Sequence, residues 1–533
     1  MPGRFVIAVD GRLNSLMGIE RAVHRKDFGH MVAGSAIVIY IAAAKVLFHL
    51  LTAGRYGIFR DELYYVACSE HLDWGYVDQP PLIAVVTWIA RHAFGDSLLG
   101  LRLLPALAGG ALVLLTGKLT QELGGRRFSQ ALAALAVAVV PVYLIMHHWM
   151  TMNAFEPLIW IGGAWCIVRA INRGESRYWA GFGVLIGIGM ENKYSAAFFL
   201  LGVSFGLLVT RERFVLKTRW PWIGALAAFL IFLPNLIWLV RHGFPFLELM
   251  NNVRRSGRDV VRGPLAFIAD QANMLNPVLL PLWAGGLAWL FLGRAGHRYR
   301  LLAWTYCVML LTFIVLSGKN YYLAPVYPIL FAAGGVAFES LSHERFKWSR
   351  TAYVVFILIA GIGLAPLSAP ILPPSSYIRY QQLLGLAPLQ AENQRTGPLP
   401  QYFADEFGWE EMTREVARVY NRLSSDERAK TAIFANSYGQ AGAIDFFGPK
   451  YGLPKSISNH QSYWLWGPRQ YTGESVIVLG SDGRGDREHF KTVEVAGHVE
   501  HPYSRLDEHF DIFLCRELVS NLQTMWARMK NWN

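Results

Sequence analysis

Apolar stretches of membrane-spanning length recur through the first two-thirds of the chain. They fall at residues 30–52, 99–121, 129–146, 154–171, 177–190, 194–210, 220–240, 265–292, 300–316, 321–340 and 351–370, eleven in all. About 20 apolar residues in a helix cover a hydrocarbon core of about 30 Å, so the pattern predicts a bundle of about eleven membrane helices. Pro80–Phe94 reads differently. Its 15 residues reach only about 22 Å as a helix. Leu82, Val85, Val86 and Ile89 follow one-sided helical spacing, and Arg91 and His92 close the segment, which predicts a helix lying in the interface. Phe59, Leu63, Val66 and Ala67 predict a second juxtamembrane helix by the same periodicity. After about residue 370 the pattern changes: Pro, Gly, Asn and charged residues rise and no spanning stretch remains. Strand-like runs at Thr431–Ala435, Ser475–Gly480 and Phe510–Cys515, with helices at Trp409–Leu423 and Gln440–Phe447, predict a small α/β domain.

The polar loops orient the bundle. With Pro80–Phe94 not spanning and the N-terminus inside, five loops face the cytoplasm: Gly124–Arg127, Asn172–Arg177, Arg211–Arg219, Arg294–Arg300 and Ser342–Arg350. Every one is basic, as short cytoplasmic loops are. If Pro80–Phe94 spanned, all five would lie outside. The expected organisation is a cytoplasmic tail at 1–29, a transmembrane domain at 30–370 with a catalytic outer loop at 53–98, and a soluble extracytoplasmic domain at 371–533. The fold class is an all-α polytopic membrane protein with a C-terminal extracytoplasmic α/β domain.

Composition agrees. Of 533 residues, 53% are apolar and 17% charged, which points to a membrane protein rather than a soluble enzyme. The net charge of +12 resides largely in the cytoplasmic loops, so it argues for topology and not for nucleic-acid binding. The apolar run Phe5–Val9 is too short for a cleavable signal. Cys166 and Cys307 lie in apolar segments as core residues. Cys68 and Cys515 both fall on the outer side, where a bridge between them is open, and no Cys/His zinc spacing occurs.

The candidate chemistry gathers on the outer face. Asp61-Glu62 follows the first spanning segment. An acidic pair there is either a helix-capping pair for Arg55 or Arg60, or a functional site, with Asp61 a general base for a hydroxyl. Asp78-Gln79-Pro80-Pro81-Leu82 offers another carboxylate, as an N-cap or as an acceptor or metal ligand. The outer loop Arg241–Gly263 carries Arg241, His242, Arg254, Arg255, Arg258 and Arg262. Such a basic cluster contradicts the charge rule unless it meets an anion, and guanidinium forks suit phosphate. Lys193 and Lys319 stand at outer helix ends, placed either to snorkel or to complete a positive rim. His147-His148 and the intramembrane Glu156 add a further polar turn.

In chain order, the set reads Asp61-Glu62, Asp78-Gln79-Pro80-Pro81-Leu82, Asn192-Lys193-Tyr194 after a Gly-rich helix, and Lys319-x-x-Tyr322-x-x-Pro325-x-Tyr327-Pro328. Over roughly 30–345 it resembles bacterial members of glycosyltransferase family 39, relatives of protein O-mannosyltransferases, aminoarabinose transferases and galacturonosyltransferases. The resemblance implies the GT-C fold and a polyprenyl-phosphate-linked sugar donor. It implies Asp61 as catalytic base with Glu62 beside it, and Lys193, Lys319 and Tyr322 as donor-phosphate contacts. It sets Asp78 as the acidic residue of the first loop, with Gln79 replacing a basic residue of relatives. It also aligns His242 with a histidine that, with that acidic residue, holds a divalent metal in some relatives. Tyr463-Trp464-Leu465-Trp466 either stacks on sugar or fills the tail's core.

The expected activity is transfer of a monosaccharide from a polyprenyl phosphate to an acceptor hydroxyl on a lipid, glycan or protein, at the outer side of a bacterial inner membrane. Arg254, Arg255 and Arg258 would join the lysines at the donor phosphate. A secondary transporter or lipid flippase is the alternative, yet such proteins set charges at the bilayer midplane between repeats, whereas these lie at outer helix ends. A non-catalytic assembly or lipid-binding subunit is a third reading. The sugar and the acceptor are not legible.

Overall fold

The computed structural model describes residues 36–342, 347–390, 392–395 and 397–533; the tail expected at 1–29 lies outside them. Among the described residues, six helices are long and apolar enough to cross a membrane: Leu98–Glu122, Met152–Arg173, Trp220–Arg241, Gly296–Val315, Asn320–Leu341 and Lys347–Leu367. Shorter apolar helices at Ala36–Thr52, Arg127–Val139 and Ala196–Val209 join them. Leu112, Val137, Trp160, Phe199 and Phe331 form the buried centre. Ile223, Leu226, Phe229 and Leu230, and on another helix Phe356, Ile359 and Ile362, stay exposed, as residues meeting lipid do.

Two expected spans are broken. The stretch at 265–292 forms Pro264–Met274 and Pro277–Leu292, bent by 96°. Pro277 cannot donate to the preceding turn, and Asn276 takes φ 74° and caps the new turn by accepting from Val278 N at 3.1 Å. The stretch at 129–146 splits into Arg127–Val139 and Pro141–Met146, because Val140 before Pro141 is pushed to an extended backbone with ψ 126°. The two juxtamembrane helices occur at Arg60–Glu70 and Leu82–Phe94.

The C-terminal region carries five strands: β1 (Thr431–Ala435), β2 (Ile457–Ser458), β3 (Ser475–Leu479), β4 (Phe490–Val499) and β5 (Phe510–Leu518). Their order is β2-β1-β3-β5-β4. β1 runs parallel to β2 and β3, while β5 is antiparallel to β3 and β4. The long edge strand β4 was not expected. Half of its positions are exposed and only Val499 is buried, so it lacks the alternation that marks a half-buried strand. Cys68 and Cys515 are both free and belong to different core clusters, so no bridge joins them.

This sheet domain does not stand apart from the outer loop. One core cluster contains Leu63, Tyr64, Val66 and Ala67 together with Trp409, Met412, Ala441 and Ile444. The Tyr438–Phe447 helix lies against the Arg60–Glu70 helix. A Cβ at Gly442 would stand 2.9 Å from Leu63 Cβ and 3.0 Å from its carbonyl oxygen, so only glycine permits this approach. The tail thereby becomes a wall of the space in front of Asp61.

Candidate active site

Asp61 and Glu62 face different surroundings although adjacent. Glu62 is fully buried. Its oxygens accept from Arg102 Nε at 3.1 Å and Arg102 Nη2 at 2.7 Å, from Phe59 N at 2.9 Å and from Met150 N at 2.9 Å. Arg102 also donates to Glu406 and to the carbonyls of Ala53 and Gly57. Every lone pair of Glu62 that a neighbour can reach is in use.

Asp61 lies in the first helical turn, half-buried. Tyr438 Oη donates to its Oδ1 at 2.8 Å. Burial raises its carboxyl above the usual range, against the opposing pull of Arg60, the Tyr438 bond and Lys319. Asp78 is also half-buried, and Tyr64 Oη donates to its Oδ1 at 2.9 Å. Burial pushes Asp78 up to about 6, with Asp61 adding to the rise and Arg258 opposing it. The Tyr64 and Tyr438 rings stand 4.8 Å apart, so the two tyrosine–carboxylate pairs are neighbours. A carboxylate with a raised pKa and one free oxygen is suited to accept a proton near neutral pH.

The basic side chains divide into three groups. Lys319 ion-pairs with Asp259 at 3.2 Å and Glu392 at 3.7 Å, and Arg258 reaches the same two carboxylates at 3.4 and 3.7 Å. Lys319 is in electrostatic reach of Asp61, as Arg60 is, and Arg258 is in reach of Asp78. Lys193 donates to Asn153 at 2.8 Å and Glu156 at 3.1 Å, and it sits 4.6 Å from the Tyr322 ring centroid. Arg254 and Arg255 end the Pro245–Ser256 helix, exposed.

His242 is exposed and stacks on Trp238 with centroids 4.1 Å apart; its Nδ1 faces the Trp238 carbonyl at 2.8 Å. Asp78 is engaged with Tyr64. Among the described residues no group of three or more His, Cys, Asp and Glu side chains gathers to hold a metal ion. The donor set around Asp78 and His242 does not fit a metal centre. Tyr463 donates to Asp445 at 3.0 Å, Trp464 donates to the Trp526 carbonyl, and Trp466 stacks on His71, so this aromatic run packs within the domain and against the first loop.

Tyr438 and Glu392 escaped the sequence reading. Both lie more than 300 residues from Asp61, in the domain assigned to a separate tail. No local spacing signals them; only docking of that domain brings them in.

Residues 78–238 match the family model described as dolichyl-phosphate-mannose-protein mannosyltransferase. Two structures of ArnT from Cupriavidus metallidurans superpose over most of the chain. The one bound to undecaprenyl phosphate has a TM-score of 0.58 at 13% identity and covers 89% of this chain and 97% of that one; the apo state gives 0.57 at 14%, covering 90% and 98%. The fold is GT-C, as in these ArnT structures. A lipid A galacturonosyltransferase, RgtD, from Rhizobium johnstonii is 25% identical over 275 residues, which is 49% of this chain and 56% of that protein. The chain thus spans about half the length of this curated relative. The apolar helices make this a multi-pass membrane protein, and the matched region takes in Asp78, Lys193 and most of the helix that precedes His242.

Proposed function

We propose that this protein is a membrane glycosyltransferase that moves a monosaccharide from a polyprenyl phosphate to a hydroxyl of lipid A, at the outer face of a bacterial inner membrane. The observation that carries the reading is the convergence of Asp61 and Asp78, both raised by burial, with Lys319 and Arg258 in electrostatic reach. The lipid class draws support from RgtD, a lipid A galacturonosyltransferase, and the donor class from ArnT, whose structure holds undecaprenyl phosphate.

In this reading the acceptor hydroxyl approaches the free oxygen of Asp61. Its proton passes to Asp61 as its oxygen attacks the anomeric carbon. The bond from that carbon to the phosphate oxygen breaks, and the electron pair leaves with polyprenyl phosphate. Lys319 and Arg258 stabilise the charge that develops on that phosphate. They leave their carboxylate partners Asp259 and Glu392 in part to do so. Lys193 and Tyr322 hold the lipid-proximal side of the same donor, Arg254 and Arg255 draw it from the outer rim, and Asp78 orients the acceptor. Glu62, by contrast, shapes the loop that presents Asp61.

The test uses purified protein with lipid A and undecaprenyl-phosphoryl galacturonic acid, 4-aminoarabinose or mannose. Mass spectrometry should show one sugar added to lipid A and an equal release of undecaprenyl phosphate. Asp61→Asn should abolish both while the protein remains folded. Transfer retained by that variant overturns the assignment of the base.

A further inference from the structure

Tyr438 opens the Tyr438–Phe447 helix, just after Ser437, whose hydroxyl caps that helix by accepting from Gln440 N. Its backbone N–H is bound to His460 Nδ1 at 3.1 Å. His460 also stacks on its ring, with centroids 5.2 Å apart and planes 12° apart. The Arg60 guanidinium sits over the ring at 4.6 Å. The ring is therefore clamped, and it has one hydroxyl proton to give. That proton goes to Asp61 Oδ1 at 2.8 Å, which fixes the carboxylate rotation and leaves Oδ2 for another partner.

A tyrosine placed only to fill the domain contact needs no hydroxyl aimed at this carboxylate. The close approach at Gly442 holds the two helices at the separation the bond needs. The same domain reaches the other carboxylate indirectly: Ser462 Oγ lies 2.8 Å from Tyr64 Oη, which donates to Asp78, and Ser462 Oγ also accepts from Val77 N at 3.1 Å.

We propose that Tyr438, delivered by the C-terminal domain, is a positioning residue for Asp61: it orients one carboxylate oxygen and so makes the site competent only while that domain is docked. The role rests on Asp61 being the base. A bond from a neutral hydroxyl favours the charged carboxylate, so its loss should raise the Asp61 pKa. Other groups also set that pKa. Arg60 and Tyr65 act from its own helix, Asp78 from the first loop, Lys319 and Tyr321 from the late outer turn, and Glu392 and Asp405 from the tail. None of these changes when only the Tyr438 hydroxyl is removed.

The test compares full-length wild type, Tyr438→Phe, Gly442→Val and Asp61→Asn in lipid nanodiscs. Carboxylates labelled with ¹³C-aspartate are titrated by infrared spectroscopy, and the band missing in Asp61→Asn identifies Asp61. Tyr438→Phe should melt near wild type yet move that band upward by on the order of one to two pH units. In transfer from undecaprenyl-phosphoryl galacturonic acid to lipid A, the acid limb of the rate should move with it, with KM for the donor unchanged. Gly442→Val should lower both melting temperature and rate. An unshifted band in Tyr438→Phe overturns the proposal, as does a loss of activity that merely follows a lowered melting temperature. If Asp61→Asn keeps transfer, the base reading falls and this role with it. If the wild type transfers nothing, only the donor and acceptor assignment falls, and the titration still decides the role of Tyr438.

Discussion

Arg102 holds Glu62 by a two-pronged ion pair, Nε to Oε1 at 3.1 Å and Nη2 to Oε2 at 2.7 Å, with both side chains at most 2% exposed. Breaking a buried pair leaves a charge stranded, at a cost of about 3–5 kcal/mol. Arg102→Met should therefore lower the melting temperature sharply, and an Arg102→Met/Glu62→Leu double variant should recover much of that loss. Differential scanning fluorimetry in detergent measures both. A double variant as unstable as the single one contradicts the pairing account.

Glu62 and Asp61 should separate in kinetics. Glu62→Gln keeps the volume and part of the hydrogen bonding, so activity per folded molecule should fall far less than in Asp61→Asn. The comparison is rate at saturating donor, normalised to monodisperse protein by size-exclusion chromatography. Equal losses would return Glu62 to the chemistry.

Glu406 gives stability a pH dependence of known sign. Burial pushes it up to about 8, although Arg102 opposes the rise. An unfolded chain releases this proton near the ordinary value of about 4.3. Between those values the folded state binds more protons, so stability falls as pH rises from about 4.5 to 8. Glu406→Gln should flatten that slope. Melting temperatures across pH 5 to 9 decide it, and an unchanged slope in the variant rejects this origin.

Two of the three groups of basic residues should differ in kind. Lys319→Met removes the side chain paired with Asp259 and Glu392 beside the carboxylates, and it should raise donor KM and lower kcat by roughly tenfold or more. Arg254→Gln and Arg255→Gln act at an exposed helix end, where screening is strong. Their effect should be below about threefold and should vanish at high salt. Initial rates at two ionic strengths check both statements.

A bulky residue at Gly442 should undo the docked domain. Gly442→Val would place its Cβ 2.9 Å from Leu63 Cβ, with two methyls beyond it, and such overpacking costs typically about 1–3 kcal/mol. Limited proteolysis should then cut between the bundle and residues 401–404 at a rate well above wild type, and an unchanged cleavage rate rules this out.

Hydrophobic periodicity alone determined the bundle, its juxtamembrane helices and the change of character near residue 370, because burial in lipid or in a helix face imposes a repeat that survives in one dimension. It also marked Asp61, Asp78, Lys193 and Lys319, since charges at helix ends stand out against apolar neighbours. It could not show where the spans break, because Val140-Pro141 and Asn276-Pro277 lie inside apolar runs that read as continuous. Nor could it separate Asp61 from Glu62. Adjacent residues on a helix point about 100° apart, and which one meets Arg102 and which meets Tyr438 depends on partners 40 and 377 residues away. The pattern cast 371–533 as a separate domain. Tertiary packing decided otherwise for its inner face: Tyr438 and Glu392 close the space before Asp61, through contacts whose sequence separation leaves no periodic trace.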